Sequence, residues 1–321
     1  LDEYIDFNEI PFNSHLQDMA LWHRKHYGLF VPVKENIYNE LPMDMVYKSC
    51  INYNKHLLEE NGIQDIFELQ EKGLWTWDML LEISQRITGD TNGDGINDVW
   101  GLSSTSATFL LYRLIFSNGS NIIEEGEYPG LVANLNTPSA IKAADFLHQL
   151  VNVNNVVNFG NENVSSTSGT SSNRSYLSNL MNSNKIGIST DSLIYHSDEY
   201  KRGWALFPKG PDTGNYRCIL DRLNFYVIPS TVKNVKEAAV ILKELYQYAN
   251  EERNKYITLC ASKDFDEKES IIFKRAINNF NYVYTTNIGI SHEDILNLIS
   301  EENKYLGKLK ECESKAQEYL N

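Results

Sequence analysis

The sequence predicts an α/β fold, on three observations. Segments with a helical apolar period alternate with short strand-like runs along the whole chain. Hydrophobic residues make up 42% and charged residues 22%, the balance of a globular chain that buries a core. No 20–50-residue period repeats, which excludes a solenoid. At 321 residues the length suits about two domains.

Taken in order, Leu1–Phe12 reads as an acidic, aromatic entry loop. Leu16, Met19, Ala20 and His23 follow a helical period in His15–Tyr27. Gly28 stops that helix, and Leu29–Val33 reads as a strand broken by Pro32. Met45–Tyr53 is strand-like. Asn54–Asn61 is a short helix with Gly62 just past its end, where a left-handed residue closes the last turn. Ile63–Gly73 reads as a connection. Thr76 is a good N-cap for a helix running from Trp77 to about Thr88, with Asp78 in its first turn, where the dipole favours an acid. Its apolar face is Trp77, Leu80, Leu81, Ser84 and Ile87, which makes Trp77 a seam residue between helix and sheet.

Val99–Leu102 is the next strand, Ala107–Ser117 a Leu-rich helix, and Asn118–Gly130 a short exposed hairpin. Asn136, Thr137 and Pro138 open a helix through Leu150, with proline at its first position. Val151–Ser175, rich in Asn, Ser, Gly and Thr, reads as a surface loop. Tyr176–Met181 is a short helix, and Lys185–Thr190 and Tyr200–Phe207 are strands. The second strand ends in the rigid turn Pro208-Lys209-Gly210-Pro211, with Trp204 expected in the core. Cys218–Ile228 is one long strand or a pair. Asn234–Tyr248 is a helix with Ala238, Ala239, Ile241, Leu242 and Leu245 inward. Phe265–Phe280 and a long, charged Glu293–Leu320 complete the helices.

The net charge of −14, from 43 acids against 29 bases, argues against nucleic acid, which needs a basic face. No apolar run reaches the roughly 18–20 residues of a membrane-spanning helix. Leu1 starts in mid-pattern without Met, so an N-terminal piece is expected to precede it. Cys50, Cys218, Cys260 and Cys312 lie far apart, form no CxxC pair and read as buried thiols.

The most distinctive loop is Asp90–Gly101, DTNGDGINDVWG. Asp90, Asn92, Asp94 and Asp98 take positions 1, 3, 5 and 9 of a calcium loop, Ile96 would offer its carbonyl at position 7, and Gly95 fills the sharp turn at position 6. Position 12, which needs a bidentate acid, is Gly101. The flanks are one helix and one strand rather than two helices. The competing reading is a metal-free turn in which Asp and Asn side chains hold their own backbone. His23 and His26 are spaced to share a metal, but no third ligand lies nearby, and they read as a packed or solvated pair. No GxSxG, Walker loop, HExxH or GxGxxG is present. A glycosidase needs only two suitably spaced acids, and nothing marks a particular pair among the 43.

Six segments, in order, resemble the extracellular solute-binding proteins that deliver sugars to ABC transporters. They are Tyr27–Pro32 (YGLFVP), Asn52–Ile63 (NYNKHLLEENGI), Trp75–Asp78 (WTWD, without the usual preceding proline), Asp90–Leu102, Ala205–Pro211 (ALFPKGP) and Tyr226–Pro229 with Asn234, Glu237 and Ala238. Lys185–Asp191 meets the family's small-residue strand only loosely.

The resemblance implies a periplasmic-binding-protein-like (type II) fold, with two α/β lobes joined by a hinge and a ligand cleft between them. The family's first strands would precede Leu1. Residues 1–47 would then belong to the N-terminal lobe, 48–217 to the C-terminal lobe and 218–262 to the return into the N-terminal lobe. Residues 263–321 would form helices packing on the C-terminal lobe and hinge.

The implied function is capture of a sugar or oligosaccharide by hinge closure and its presentation to a permease. No chemistry would follow binding, so the chain is not expected to be an enzyme. The implied protein is extracellular, lipid-anchored as in Gram-positive cells or periplasmic, and monomeric. Ligand contacts are expected at Tyr47 and Tyr195, as stacking aromatics, and at Asp191 and Arg222, as partners for hydroxyls. Each could equally be packing or a local ion pair. Structural calcium is expected at Asp90, Asn92, Asp94, Ile96 and Asp98 if the loop binds metal. The alternatives are a carbohydrate-active glycoside hydrolase and a calcium-dependent surface interaction module.

Overall fold

The structure, a computed structural model, describes all residues except 11–16, 18–19, 23, 32–49, 126–130, 161–170, 192–201, 221–224, 264–266, 279, 283–287, 302–303 and 321. The chain divides into two compact units. The smaller joins Leu1–Val46 to Leu220–Tyr282, and the larger joins Tyr47–Ile219 to Val283–Asn321. The chain therefore passes between them three times. The third passage lies at 282/283 rather than at the expected 262/263.

The smaller unit begins with a 3-10 turn at Phe7–Glu9, then β1 (Leu21–Trp22), β2 (Lys25–His26) and β3 (Gly28–Phe30). Where a helix was expected, Leu21–His26 is an antiparallel pair with Arg24 left-handed at φ 61°. Such a residue cannot continue a helix. His26 is not set up as a metal ligand. Its Nδ1 lies 2.6 Å from Asp2 Oδ1, and its ring stacks on Phe7 at 3.6 Å. The other histidine of that pair, His23, lies outside the described residues.

The larger unit follows with β4 (Cys50–Asn54), α1 (Lys55–Glu60), α2 (Ile66–Glu71), α3 (Trp77–Ile87), β5 (Trp100–Ser103), α4 (Ala107–Ser117), β6 (Ile123–Glu125), β7 (Leu131–Ala133), α5 (Pro138–His148), β8 (Val157–Asn158), α6 (Ser171–Asn182), β9 (Ile186–Ser189), β10 (Arg202–Leu206) and β11 (Cys218–Leu220). The chain returns to the smaller unit with β12 (Phe225–Val227), α7 (Val235–Lys263), α8 (Glu267–Asn278) and β13 (Phe280–Tyr282). It ends in the larger unit with α9 (His292–Ile299) and α10 (Tyr305–Leu320).

In the smaller unit, β3 pairs antiparallel with β12, Phe30 opposite Phe225. Gln17 clamps Phe30 by accepting from its N–H and donating to its carbonyl, both at 2.9 Å. Among the described side chains of α7 the buried positions are Ala239, Leu242, Tyr246 and Ala249, a clean i, i+3, i+7, i+10 stripe. Ile241, expected inward, is 68% exposed, because the stripe turns around Ala239 and Leu242 instead.

The larger unit is built on a five-stranded sheet in the order β10-β4-β9-β5-β8. β10/β4 and β4/β9 are antiparallel, while β9/β5 and β5/β8 are parallel. Local chemistry sets the helices. Thr76 caps α3 by accepting from the Met79 N–H, Asn54 caps α1 through Leu57, and Thr137 caps α5 ahead of Pro138. The expected connection Ile63–Gly73 contains α2, capped by Asp65. The expected single helix Glu293–Leu320 is two, α9 and α10. Ser300 ends the first, and its hydroxyl donates to the Asn297 carbonyl.

Trp75 and Trp77 are both buried and both satisfied, as structural residues should be. Their indole N–H groups donate to the Leu206 carbonyl and to Ser117 Oγ, each at 2.9 Å, and Trp77 stacks on Phe146. Trp204 is only half-buried, a departure from the expected core position. Helix α4 is apolar nearly all round and sits in the centre of the core. From the C-terminal segment, Ile288, Ile290, Ile295, Leu298, Ile299 and Leu309 complete that core. Cys50, Cys218 and Cys312 are buried free thiols. Burial pushes the Cys218 thiol up to about 12, which makes it inert. Among the described residues no helix is long and apolar enough to cross a membrane.

Candidate functional site

Three neighbouring parallel strands, β9, β5 and β8, end on the same edge of the larger unit's sheet. In α/β proteins ligands bind off the carboxyl ends of such strands. Beyond the strand ends lie Ser104-Thr105-Ser106, Phe159-Gly160 and Thr190-Asp191. These segments are polar, yet Ser103, Ser104, Thr105, Ser106, Ser189, Thr190 and Asp191 are all buried.

Hydrogen bonds knit the edge together. The Thr190 N–H and hydroxyl both donate to the Ser103 carbonyl, at 3.0 and 3.1 Å. The Ser104 N–H donates to the Asn158 carbonyl at 3.1 Å. The Thr105 N–H donates to the Asp191 carboxylate. Asn173 of α6 donates to the Phe159 carbonyl at 2.7 Å and to the Thr105 carbonyl at 3.4 Å. Gly160 is left-handed at φ +88°, and a Cβ there would fall inside the Asn173 side chain, so only glycine fits. His292, at the start of α9, accepts the Ala107 N–H on Nδ1 at 2.8 Å and meets the Phe159 ring edge-on at 5.1 Å.

Three hydroxyls of this region, Ser103 Oγ, Ser106 Oγ and Thr108 Oγ1, are buried with no hydrogen-bond partner among the described residues. Buried polar groups are normally satisfied. The polar side chains gathered here, the Asp191 carboxylate among them, lie off the carboxyl ends of the strands, where such folds bind ligands. His292 Nδ1 is committed to a backbone amide, so it is not placed as the base of a serine nucleophile.

Of the expected ligand contacts, the structure describes Asp191 and puts it in this edge. Tyr47, Tyr195 and Arg222 lie outside the described residues. The Ser103–Ser106 run, Asn173, Thr190 and His292 were not anticipated. A hydroxyl-rich run between a predicted strand and a predicted helix was the available signal for the first of these.

The Asp90–Asp98 loop is a self-satisfied turn. Asp90 accepts from the N–H groups of Gly93 and Gly95, both at 2.7 Å, and from that of Asn92 at 3.1 Å. Asp98 accepts from the Thr91 hydroxyl at 2.8 Å and its N–H at 3.0 Å. Asp94 accepts from the Ile96 N–H at 2.8 Å. Those amides hold the Asp90 carboxyl below its ordinary pKa, and the Thr91 hydroxyl and N–H do the same for Asp98. Among the described residues no three His, Cys, Asp or Glu side chains are grouped to hold a metal ion. Gly101, the would-be closing ligand position, is buried against α3, where a Cβ would lie 2.1 Å from the Ser84 carbonyl oxygen.

Comparison with known proteins bears on the whole chain. An ABC substrate-binding protein of Listeria monocytogenes in complex with cycloalternan superposes with TM-score 0.62 at 15% identity, covering 99% of this chain and 77% of that one. UspC of M. tuberculosis gives 0.61 at 14%, covering 96% and 79%. The Thermus thermophilus maltotriose binding protein bound with maltotriose gives 0.58 at 11%, covering 99% and 79%. A search of curated proteins returned no significant match. These likenesses establish the expected periplasmic-binding-protein-like (type II) α/β fold. The family model of bacterial extracellular solute-binding proteins matches residues 16–254 of the 321. On that match, the chain belongs to the bacterial extracellular solute-binding proteins.

Proposed function

We propose that this chain captures a sugar or oligosaccharide and presents it to the permease of an ABC importer, without chemistry on the ligand. The observation that carries this reading is the polar edge around Asp191 at the carboxyl ends of β9, β5 and β8. Two of the structures compared above are named with saccharides, cycloalternan in one and maltotriose in the other. Tyr47 and Tyr195 are proposed as stacking faces and Arg222 as a hydroxyl partner. A monomer outside the cytoplasm, lipid-anchored at the cell surface or periplasmic, completes the reading.

Thermal melting against mono- and oligosaccharides tests it. A ligand that binds only the folded form stabilises it by mass action, by about 2.7 kcal/mol at a hundredfold excess over Kd. The expected result is a shift for one saccharide class, with the sugar recovered unchanged by chromatography. A flat screen on folded protein, or a hydrolysed sugar, overturns the proposal. For the Asp90–Asp98 loop, calcium is supported by ligand spacing and opposed by the amide-bound carboxylates. EDTA is therefore expected to leave the melting temperature unchanged.

A further inference from the structure

We propose that His292 is a positioning residue: in its neutral form it locks the amino end of α4, and its protonation releases the polar edge that the capture reading assigns to the ligand. The geometry fixes the tautomer. A backbone N–H can only donate, so the Ala107 N–H at 2.8 Å from Nδ1 requires that nitrogen to be an unprotonated acceptor. The ring proton then sits on Nε2.

The contact ties down a helix end that has no side-chain cap of its own. Ser106 is the N-cap residue of α4, yet its side chain makes no capping bond to the second or third amide. The first amide, that of Ala107, is satisfied by His292 from 185 residues away along the chain. Protonation would point two N–H groups at each other and set a positive charge at the positive end of a helix dipole. The bond would have to break. The same turn carries the Thr105 N–H to Asp191 and the Ser104 N–H to the Asn158 carbonyl, so its loosening reaches the polar edge directly.

The ring is well held. Ser291 and Asp294 form a reciprocal capping box at the start of α9, and Phe159 packs on the ring. The elements around it carry titratable and charged groups, among them Lys308, Lys310, Glu311, Cys312, Glu313 and Glu318 of α10. Glu293 and Asp294 lie on α9 itself, with Lys315 of α10 bonded to Asp294. Tyr112 and Arg113 lie on α4, and Lys142, Asp145 and His148 on α5. Asp191 lies across the turn, its carboxylate on the Thr105 N–H. Burial is what pulls the imidazole below its ordinary pKa. The sign follows: the neutral-form contact is fully present above the unfolded value of about 6.5 and is lost as pH falls through the lowered folded value.

The test compares wild type with His292→Asn and His292→Ala. The asparagine Oδ1 can accept the Ala107 N–H but does not titrate. Without ligand, nitrogen-15 NMR of the histidine rings is expected to show an unprotonated Nδ1 on His292 at pH 7.5 and a midpoint below about 6.5. Wild type is expected to lose melting temperature between pH 7.5 and 5 by more than H292N, while H292A is already lowered at pH 7.5. With maltotriose as the probe, the apparent Kd of wild type is expected to rise about tenfold one pH unit below the midpoint, because only the neutral fraction is competent. H292N should stay flat.

A proton on Nδ1 at neutral pH, or the full wild-type pH dependence in H292N, overturns the proposal. Failure of maltotriose to bind any of the three proteins at pH 7.5 excludes maltotriose as the ligand and says nothing against His292. In that case the ligand-free titration and melting still decide the role of His292.

Discussion

Replacing Gly101 with alanine should separate α3 from the sheet beneath it. An added Cβ would lie 2.1, 2.3 and 2.5 Å from the O, Cα and C atoms of Ser84, all of them backbone. No rotamer change can relieve contacts with main-chain atoms, so the helix would have to retreat by about 1 Å or more to restore ordinary carbon separations. The retreat is resisted from both sides. Trp77, Leu80, Ile83 and Ile87 of α3 are buried in the core. Thr88 ties the two elements together, its hydroxyl donating to the Ser84 carbonyl and accepting from the Gly101 N–H, both at 2.8 Å. Overpacking of this kind costs roughly 1–3 kcal/mol, and contact with a rigid backbone places G101A at about 3. For a unit of roughly 200 residues that is a fall of about 6–12 °C in melting temperature. Gly89→Ala is the control, since a Cβ there meets nothing within 4 Å. Melting followed by far-ultraviolet circular dichroism reads both. G101A melting within a degree of wild type would refute the close-approach reasoning.

Trp77→Ala removes a buried ring that stacks on Phe146 and donates to Ser117, and is expected to cost about 3–5 kcal/mol by urea denaturation. Asn118→Ala should cost about 1–3 kcal/mol, because Asn118 both accepts the Asp212 N–H and donates to its carboxylate beside the tight turn at Gly210. Asp90 and Asp98 have folded pKa values below the ordinary 3.8, so their contribution is present above that pH and lost as pH falls through the lowered values. An Asp90→Ala, Asp98→Ala protein should therefore show a shallower loss of melting temperature below pH 4 than wild type. An identical acid profile would show that the loop's amide bonds do not contribute to stability.

What could be read from sequence was what neighbouring residues decide. Thr76 before Trp77, Thr137 before Pro138 and Gly62 after α1 each satisfy or end a helix within four residues, and all three stand as expected. The indole seam at Trp77 followed from its place on the helical period. Short elements were harder. α2 is six residues long and relies on its Asp65 cap, and the β1/β2 pair turns on a single left-handed Arg24. Neither leaves a periodic signature. The division between α9 and α10 was masked by an apolar stripe that runs on through both helices. At the candidate site, the expectation at Asp191 came from the family resemblance, and residue patterns alone could not have supplied its surroundings. Its hydrogen-bond partner is 86 residues away, and the His292–Ala107 contact spans 185. Contacts of that separation are a property of topology and leave no local trace.

The discontinuous build of the larger unit also bears on how the chain is made. Its core is closed by Ile288, Ile290, Ile295, Leu298 and Ile299, all from a segment synthesised after the rest of the unit. The aliphatic surfaces of α4 and α5 therefore stay uncovered on the nascent chain until that segment emerges, although most of the unit is already translated. Chains that expose apolar surface while incomplete are prone to aggregate. A premature stop between Leu220 and Val283 would consequently do more than trim an edge. It would leave a nearly finished unit with its interior open and make the truncated product a substrate for chaperones and proteases.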